Sequence, residues 1–198
     1  MNYSSLLSDF PANTCPRRNY VKLDFNYLTE DSYEKNIEAV LISRIRNGSL
    51  QIKDESQHLY FPHTNILNTV PVGYLKMADM LTWFEWKGKI VNPWIWELKR
   101  DKICSLHDRF SSSGNLSSEG LFDLIQRLNG RAEFINKFFL HSGTNFKITG
   151  VVVVKDFCRD VVDKFKNLIC PIGVLEEVYL ISYSGLRKNV DFKVVAKI

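Results

Sequence analysis

No run of apolar residues in this chain approaches the ~20 that a helix needs to cross a bilayer. Cysteine is sparse, and Cys15, Cys104, Cys158 and Cys170 form no CxxC pair and no Cys/His spacing of a zinc site. They read as reduced thiols in a cytoplasmic protein. No sequence period of a solenoid is present. Neither charge sign dominates: 26 Lys and Arg against 22 Asp and Glu leave +4 and a pI near 8.8. That balance permits a polyanionic partner without requiring one. The opening MNYSSLLSDF has neither the basic start nor the apolar length of a signal peptide.

What is present suits a globular protein. With 198 residues, 45% hydrophobic and 24% charged, the chain is expected to form one domain with a sizeable core. Residues 1–28 begin rich in Ser, Asn, Pro and Arg and read as an irregular N-terminal arm. Thr29-Glu30-Asp31-Ser32 then offers caps and first-turn acids for a helix on which Tyr33, Ile37, Val40, Leu41 and Ile45 recur at helical spacing. Asn47-Gly48 is a suitable stop. Glu34 and Glu38 border its apolar stripe, where a carboxylate either pairs with a cation or faces a site.

Residues 49–77 are poorly periodic, with His58 to Phe61 a candidate short strand and His58 and His63 read as ordinary loop histidines. The polar stretch from Ser111 to Gly120 reads equally as a connector or as a loop that closes on a substrate. Ser117 or Ser118 is expected to cap a helix burying Leu121, Leu124, Ile125, Leu128, Ala132 and Ile135, which Asn129-Gly130 could divide. The last third reads strand (147–154), helix (160–168), strand (174–182) and an edge strand (191–198), implying βαβ units in an α/β layer.

Residues 78–102 carry the chemistry. Two apolar segments flank Lys87-Gly88-Lys89, the pattern of a β-hairpin. Alternation puts Glu97 and Lys99 on one face and Trp96 and Leu98 on the other. If Asp79 on the first strand faces the same way, two carboxylates and an ammonium converge. Two such carboxylates repel unless a cation completes them, and hard oxygen donors suit Mg²⁺. The competing reading is a Glu97–Lys99 ion pair at a strand end, worth little.

The order of these parts resembles the PD-(D/E)XK nuclease superfamily. Asp79 stands at the head of one strand and Glu97-Leu98-Lys99 closes the next. Glu34 to Leu41 matches the family's E-x-x-L/I-x-x-x-L helix, and Gln126 matches the glutamine of the helix after the motif. Two features depart from the pattern: Ala78 replaces the proline before Asp79, and Pro93 sits inside the second strand, which is expected to start there or at Trp94. The resemblance spans about residues 30–182. It implies a restriction-endonuclease-like α/β fold, a three-layer α/β/α core around a mixed central sheet. It implies a Mg²⁺-dependent endonuclease on DNA, with Mn²⁺ able to substitute. Asp79, Glu97, the Leu98 carbonyl and Glu34 (or Glu38) would be the metal ligands, Lys99 would orient or deprotonate water, and Gln126 would position Lys99 or water. Arg100 and Lys102, with Arg127 and Arg131 on the following helix, would contact nucleic acid. A homodimer or partner subunit has room to add contacts. The alternatives are a catalytically inactive nucleic-acid-binding or assembly module on the same fold, and an RNA-cleaving relative.

Overall fold

The computed structural model describes residues 34–54, 57–59, 63, 65–71, 77–87, 89–141, 147–167, 173–185 and 190–198. The arm expected over 1–28 and the cap cluster at 29–32 lie outside these, as does the side chain of Glu34. Helix α1 (Glu34–Arg46) leads into β1 (Ile52–Asp54), β2 (Gln57–Leu59) and β3 (Asn65–Pro71). The hairpin β4 (Met77–Trp86) and β5 (Lys89–Leu98) follows, then a small hairpin β6 (Arg109–Phe110) and β7 (Leu116–Ser118). The remaining elements are α2 (Leu121–His141), β8 (Ile148–Val154), α3 (Arg159–Lys166), β9 (Leu175–Ser184) and β10 (Asp191–Lys197).

Among the described residues, eight strands form one mixed sheet in the order β2-β1-β10-β9-β8-β5-β4-β3. β3, β4 and β5 are an antiparallel meander. α2 then carries the chain to β8, parallel to β5, and α3 carries it to β9, parallel to β8. All seven residues of β8 are buried, as its β-branched sequence requires of a strand covered on both faces.

Helices cover both faces. Ile95, Val152, Val154 and Leu180 pack with Leu121, Leu124, Leu128 and Ile135 of α2 and Val161, Val162 and Phe165 of α3. The alternate residues Trp94, Trp96, Leu98, Val151 and Val153 pack with Ile37, Val40, Leu41 and Ile45 of α1. The protein is thus a three-layer α/β/α structure. Among the described residues, no helix is long and apolar enough to cross a membrane.

Local chemistry explains the element ends. α1 stops at Gly48, φ 63°, with Ser49 N–H donating to Arg44 O (2.8 Å) and Gly48 N–H to Ile45 O (3.1 Å), a paired C-terminal closure that glycine makes without strain. Pro93 lies within β5 rather than at its start. The chain bulges there: Asn92 has φ 50°, the β4 register shifts between Thr82 and Phe84, and pairing to β8 begins only at Trp94. The bulge and the late start of the β8 ladder together remove the need for a proline N–H.

Four expectations are corrected. Residues 49–77, where only His58 to Phe61 is a candidate strand by sequence, supply three: β2 overlaps that candidate at His58 and Leu59, Tyr60 and Phe61 lie outside the described residues, and β1 and β3 are not expected. β10 is not an edge strand: it lies between β9 and β1, and among the described residues β2 and β3 are the edges. α2 is unbroken, because Gly130 is on an exposed side while the buried Asn129 uses its amide on Val174 N–H (3.0 Å) and Glu133 (2.8 Å). Ser117 and Ser118 belong to β7 and do not cap α2.

Candidate functional site

The site lies where β4 begins and β5 ends, under the first half of α2. Met80 pairs with Trp96 and Leu81 with Ile95, so the next step of this antiparallel register sets Asp79 opposite Glu97 on the Leu81–Ile95 face. Asp79 Oδ2 accepts the Leu98 N–H at 2.7 Å. Lys99, two residues beyond Glu97, brings Nζ to 3.2 Å from Glu97 Oε1. The three residues therefore share one side of the sheet.

Glu97 is the most deeply placed of them, its side chain 3% exposed. A carboxylate removed from water needs counter-charge and hydrogen bonds. Lys99 takes one oxygen, and Arg131 Nη1 of α2 donates to the other, Oε2. Burial pulls the Arg131 guanidinium below its ordinary value, and the Asp79 charge offsets only part of that. Glu119 extends the cluster, with Oε1 at 3.9 Å from Lys99 Nζ and 3.1 Å from Arg127 Nη2.

A second layer braces this one. Arg127 Nη1 donates to Asp108 Oδ2 at 2.6 Å, and Asp108 Oδ1 accepts the Gly120 N–H at 2.7 Å. The Asp108 N–H donates to Asp123 Oδ2 at 2.6 Å and holds the Asp123 carboxyl below the usual carboxylate range. The entry of α2 is thereby tied to the chain that leaves β5.

The structure brings only some of the expected residues to this site. Arg131, expected on nucleic acid, is largely buried against Glu97. Arg127 is engaged by Asp108 and Glu119, and Lys102 by Asp156 at 2.7 Å. Arg100 is exposed, with Nε 3.8 Å from Asp101. Gln126 sits on an exposed side of α2, and the α2 residue that reaches Glu97 is Arg131. α1, which carries Glu34 and Glu38, packs on the opposite face of the sheet from Glu97. Glu38 Oε1 is buried there. His63 is buried, not a surface loop residue: Nδ1 is 2.8 Å from Thr82 Oγ1, and its ring meets Trp94 edge-on. Cys104 and Cys158 are joined by a disulfide, against the expectation of reduced thiols.

Glu119 and Asp108 carry no sequence signal of their place in this cluster. Arg127 and Arg131 stand beside buried Leu128 and Ala132 on α2, a border position from which a long side chain can turn to the sheet.

Among the described residues, no three His, Cys, Asp or Glu side chains gather closely enough to hold an ion by themselves. Mg²⁺ asks for less, since it binds through one or two carboxylates and keeps several waters. Asp79 and Glu97 supply that oxygen-only donor set, so the residues fit such an ion. Arg131 stands on Glu97 Oε2, and an ion bound there would share or replace that contact. Comparison of the chain with protein-family models, curated proteins and solved structures gives no match.

Proposed function

We propose that this protein is a metal-dependent endonuclease that hydrolyses phosphodiester bonds in DNA, on a restriction-endonuclease-like fold of the PD-(D/E)XK type. One observation carries the reading: Asp79 and Glu97 oppose each other on one face of adjacent strands, with the Lys99 ammonium on the Glu97 carboxylate. The order of parts supports it too, with a helix before the meander, Asp79 at the head of β4, Glu97-Leu98-Lys99 closing β5, and a crossover helix before a parallel strand.

In this reading Asp79 and Glu97 would hold Mg²⁺ or Mn²⁺, with the Leu98 carbonyl, which lies in sequence between Glu97 and Lys99, as a further ligand. When bound, the ion supplies Lewis-acid stabilisation of phosphoryl charge and lowers the pKa of a coordinated water. Lys99 orients the attacking water and offsets charge on the phosphate oxygens. Glu119, 3.9 Å from Lys99 Nζ, adds a second carboxylate beside that ammonium. Arg100 offers an exposed cation to the flanking backbone, and a second subunit could extend that contact.

A second reading has an observation of its own. Glu97 already carries two cationic partners, as expected of a closed structural ion-pair network in an inactive nucleic-acid-binding or assembly module. Incubation of the purified protein with Mg²⁺ or Mn²⁺ and plasmid, single-stranded DNA or RNA separates the readings. Metal-dependent DNA cleavage is expected, falling at least ~10²-fold in Lys99→Ala and Glu97→Gln. Cleavage of RNA alone selects the RNA-cleaving relative. No cleavage of any substrate, or full activity in Lys99→Ala, removes the nuclease reading.

A further inference from the structure

The small β6–β7 hairpin is the part of the surface that the proposed chemistry does not use. Among the described residues, Phe110 and Leu116 are large apolar side chains left exposed, at 63% and 47%. They are paired directly across the hairpin, so they share one of its faces. Leu116 also lines a groove of about 500 Å³ whose other wall is residues 99–103 and which includes Lys99, Arg100, Lys102 and Glu119. Phe110 therefore belongs to the same face as the groove wall, and Lys99 joins that groove to the Glu97 cluster.

The hairpin is held firmly. Ser117 Oγ donates to Arg109 O at 2.9 Å, and Ser111 N–H to Asn115 O at 2.8 Å. Its root is fastened by Asp108 through Gly120 N–H and Arg127. An exposed aromatic on a braced support, beside Lys99, Arg100 and Lys102 and the residues Ser117 and Ser118, suits a charged strand with flat apolar rings.

We infer that this groove binds an unpaired nucleotide segment, its phosphates along Lys99 and Arg100 and a base stacked on Phe110 and Leu116. The inference rests on the nuclease reading for its substrate class, and it narrows that class to DNA with unpaired bases. Two acids also line the groove, and each has a cation beside it: Glu119 has Arg127 and Lys99, and Asp101 has Arg100 at 3.8 Å.

The test is equilibrium binding of a fluorescein-labelled oligothymidylate and of a blunt duplex, in EDTA so that nothing is cut. Phe110→Ala is expected to weaken the single strand about tenfold or more, the effect of losing one stacked base, and to leave the duplex unchanged. Phe110→Trp, which keeps an aromatic face, restores the affinity. Unaltered single-strand binding in Phe110→Ala, equal losses for strand and duplex, or no binding of the strand by the wild type overturns the inference. The same variant in the metal-dependent assay on single-stranded DNA tells the two failures apart. Metal-dependent cleavage with Phe110-independent binding sinks only the groove, whereas Phe110-dependent binding without cleavage sinks only the nuclease.

Discussion

Arg131 donates to Glu97 Oε2 across 34 positions of sequence, from the helix that carries the chain from β5 to β8. The pair couples stability to the candidate chemistry, because the carboxylate proposed to hold a metal is also the one that α2 is charged to meet. Removing the guanidinium leaves a buried carboxylate with Lys99 alone. Arg131→Met is therefore expected to lose about 3 kcal/mol in urea denaturation. Adding Glu97→Gln to that variant should recover part of the loss. A single-variant loss under about 1 kcal/mol would show that the contact is not a buried ion pair in solution.

His63 makes stability pH-dependent. Burial is the main cause of its depression from 6.5 to about 4, outweighing the opposing hydrogen bond with the Asn92 backbone. Between those values the unfolded chain binds a proton that the folded chain refuses. The contribution is complete above pH 6.5 and is lost as pH falls through 4, about 3 kcal/mol in all. Chemical denaturation at pH 7 and pH 4.5 checks it, with His63→Gln expected to flatten the difference. An equal pH slope in that variant rejects the assignment.

Gly120 stands where the hairpin chain passes the start of α2. A Cβ there would lie 2.5 Å from Asp108 N and closer still to the His107 backbone. Because backbone cannot rotate away, Gly120→Ala is expected to cost about 1–3 kcal/mol and to speed amide exchange through the hairpin root. Exchange identical to the wild type would show that the root has more room.

Cys104 and Cys158 join the segment leaving β5 to the start of α3. Backbone bonds already align those segments, Ile103 N–H to Asp156 O at 3.0 Å and Cys158 N–H to Ile103 O at 2.9 Å. Non-reducing peptide mapping is expected to recover the two cysteines linked. Cys158→Ser should lose about 3 kcal/mol, since the link closes a long loop in the unfolded chain. Free thiols at both positions in the folded protein, as a reducing cytoplasm would favour, would restore the reading made from sequence.

Much of the candidate site is local, and local features can be read from a sequence. That Glu97 and Lys99 share a face follows from strand alternation. That Asp79 joins them follows from one hairpin with its turn at Lys87, φ 51°. The buried β8 and the crossover helices follow from β-branched runs and helical spacing. Residues far apart in the chain were decided by which elements became neighbours. Arg131 looks like a solvated or phosphate-binding residue until α2 lies over β5. His63 looks like a loop residue until Thr82 and Trp94 close around it. Cys104 and Cys158 carry no sequence sign of their pairing, and β10 reads as an edge until β1 adds beside it. The physical reason is one of range: a dihedral pattern is written within a few residues, whereas burial and charge partners exist only once the layers have packed.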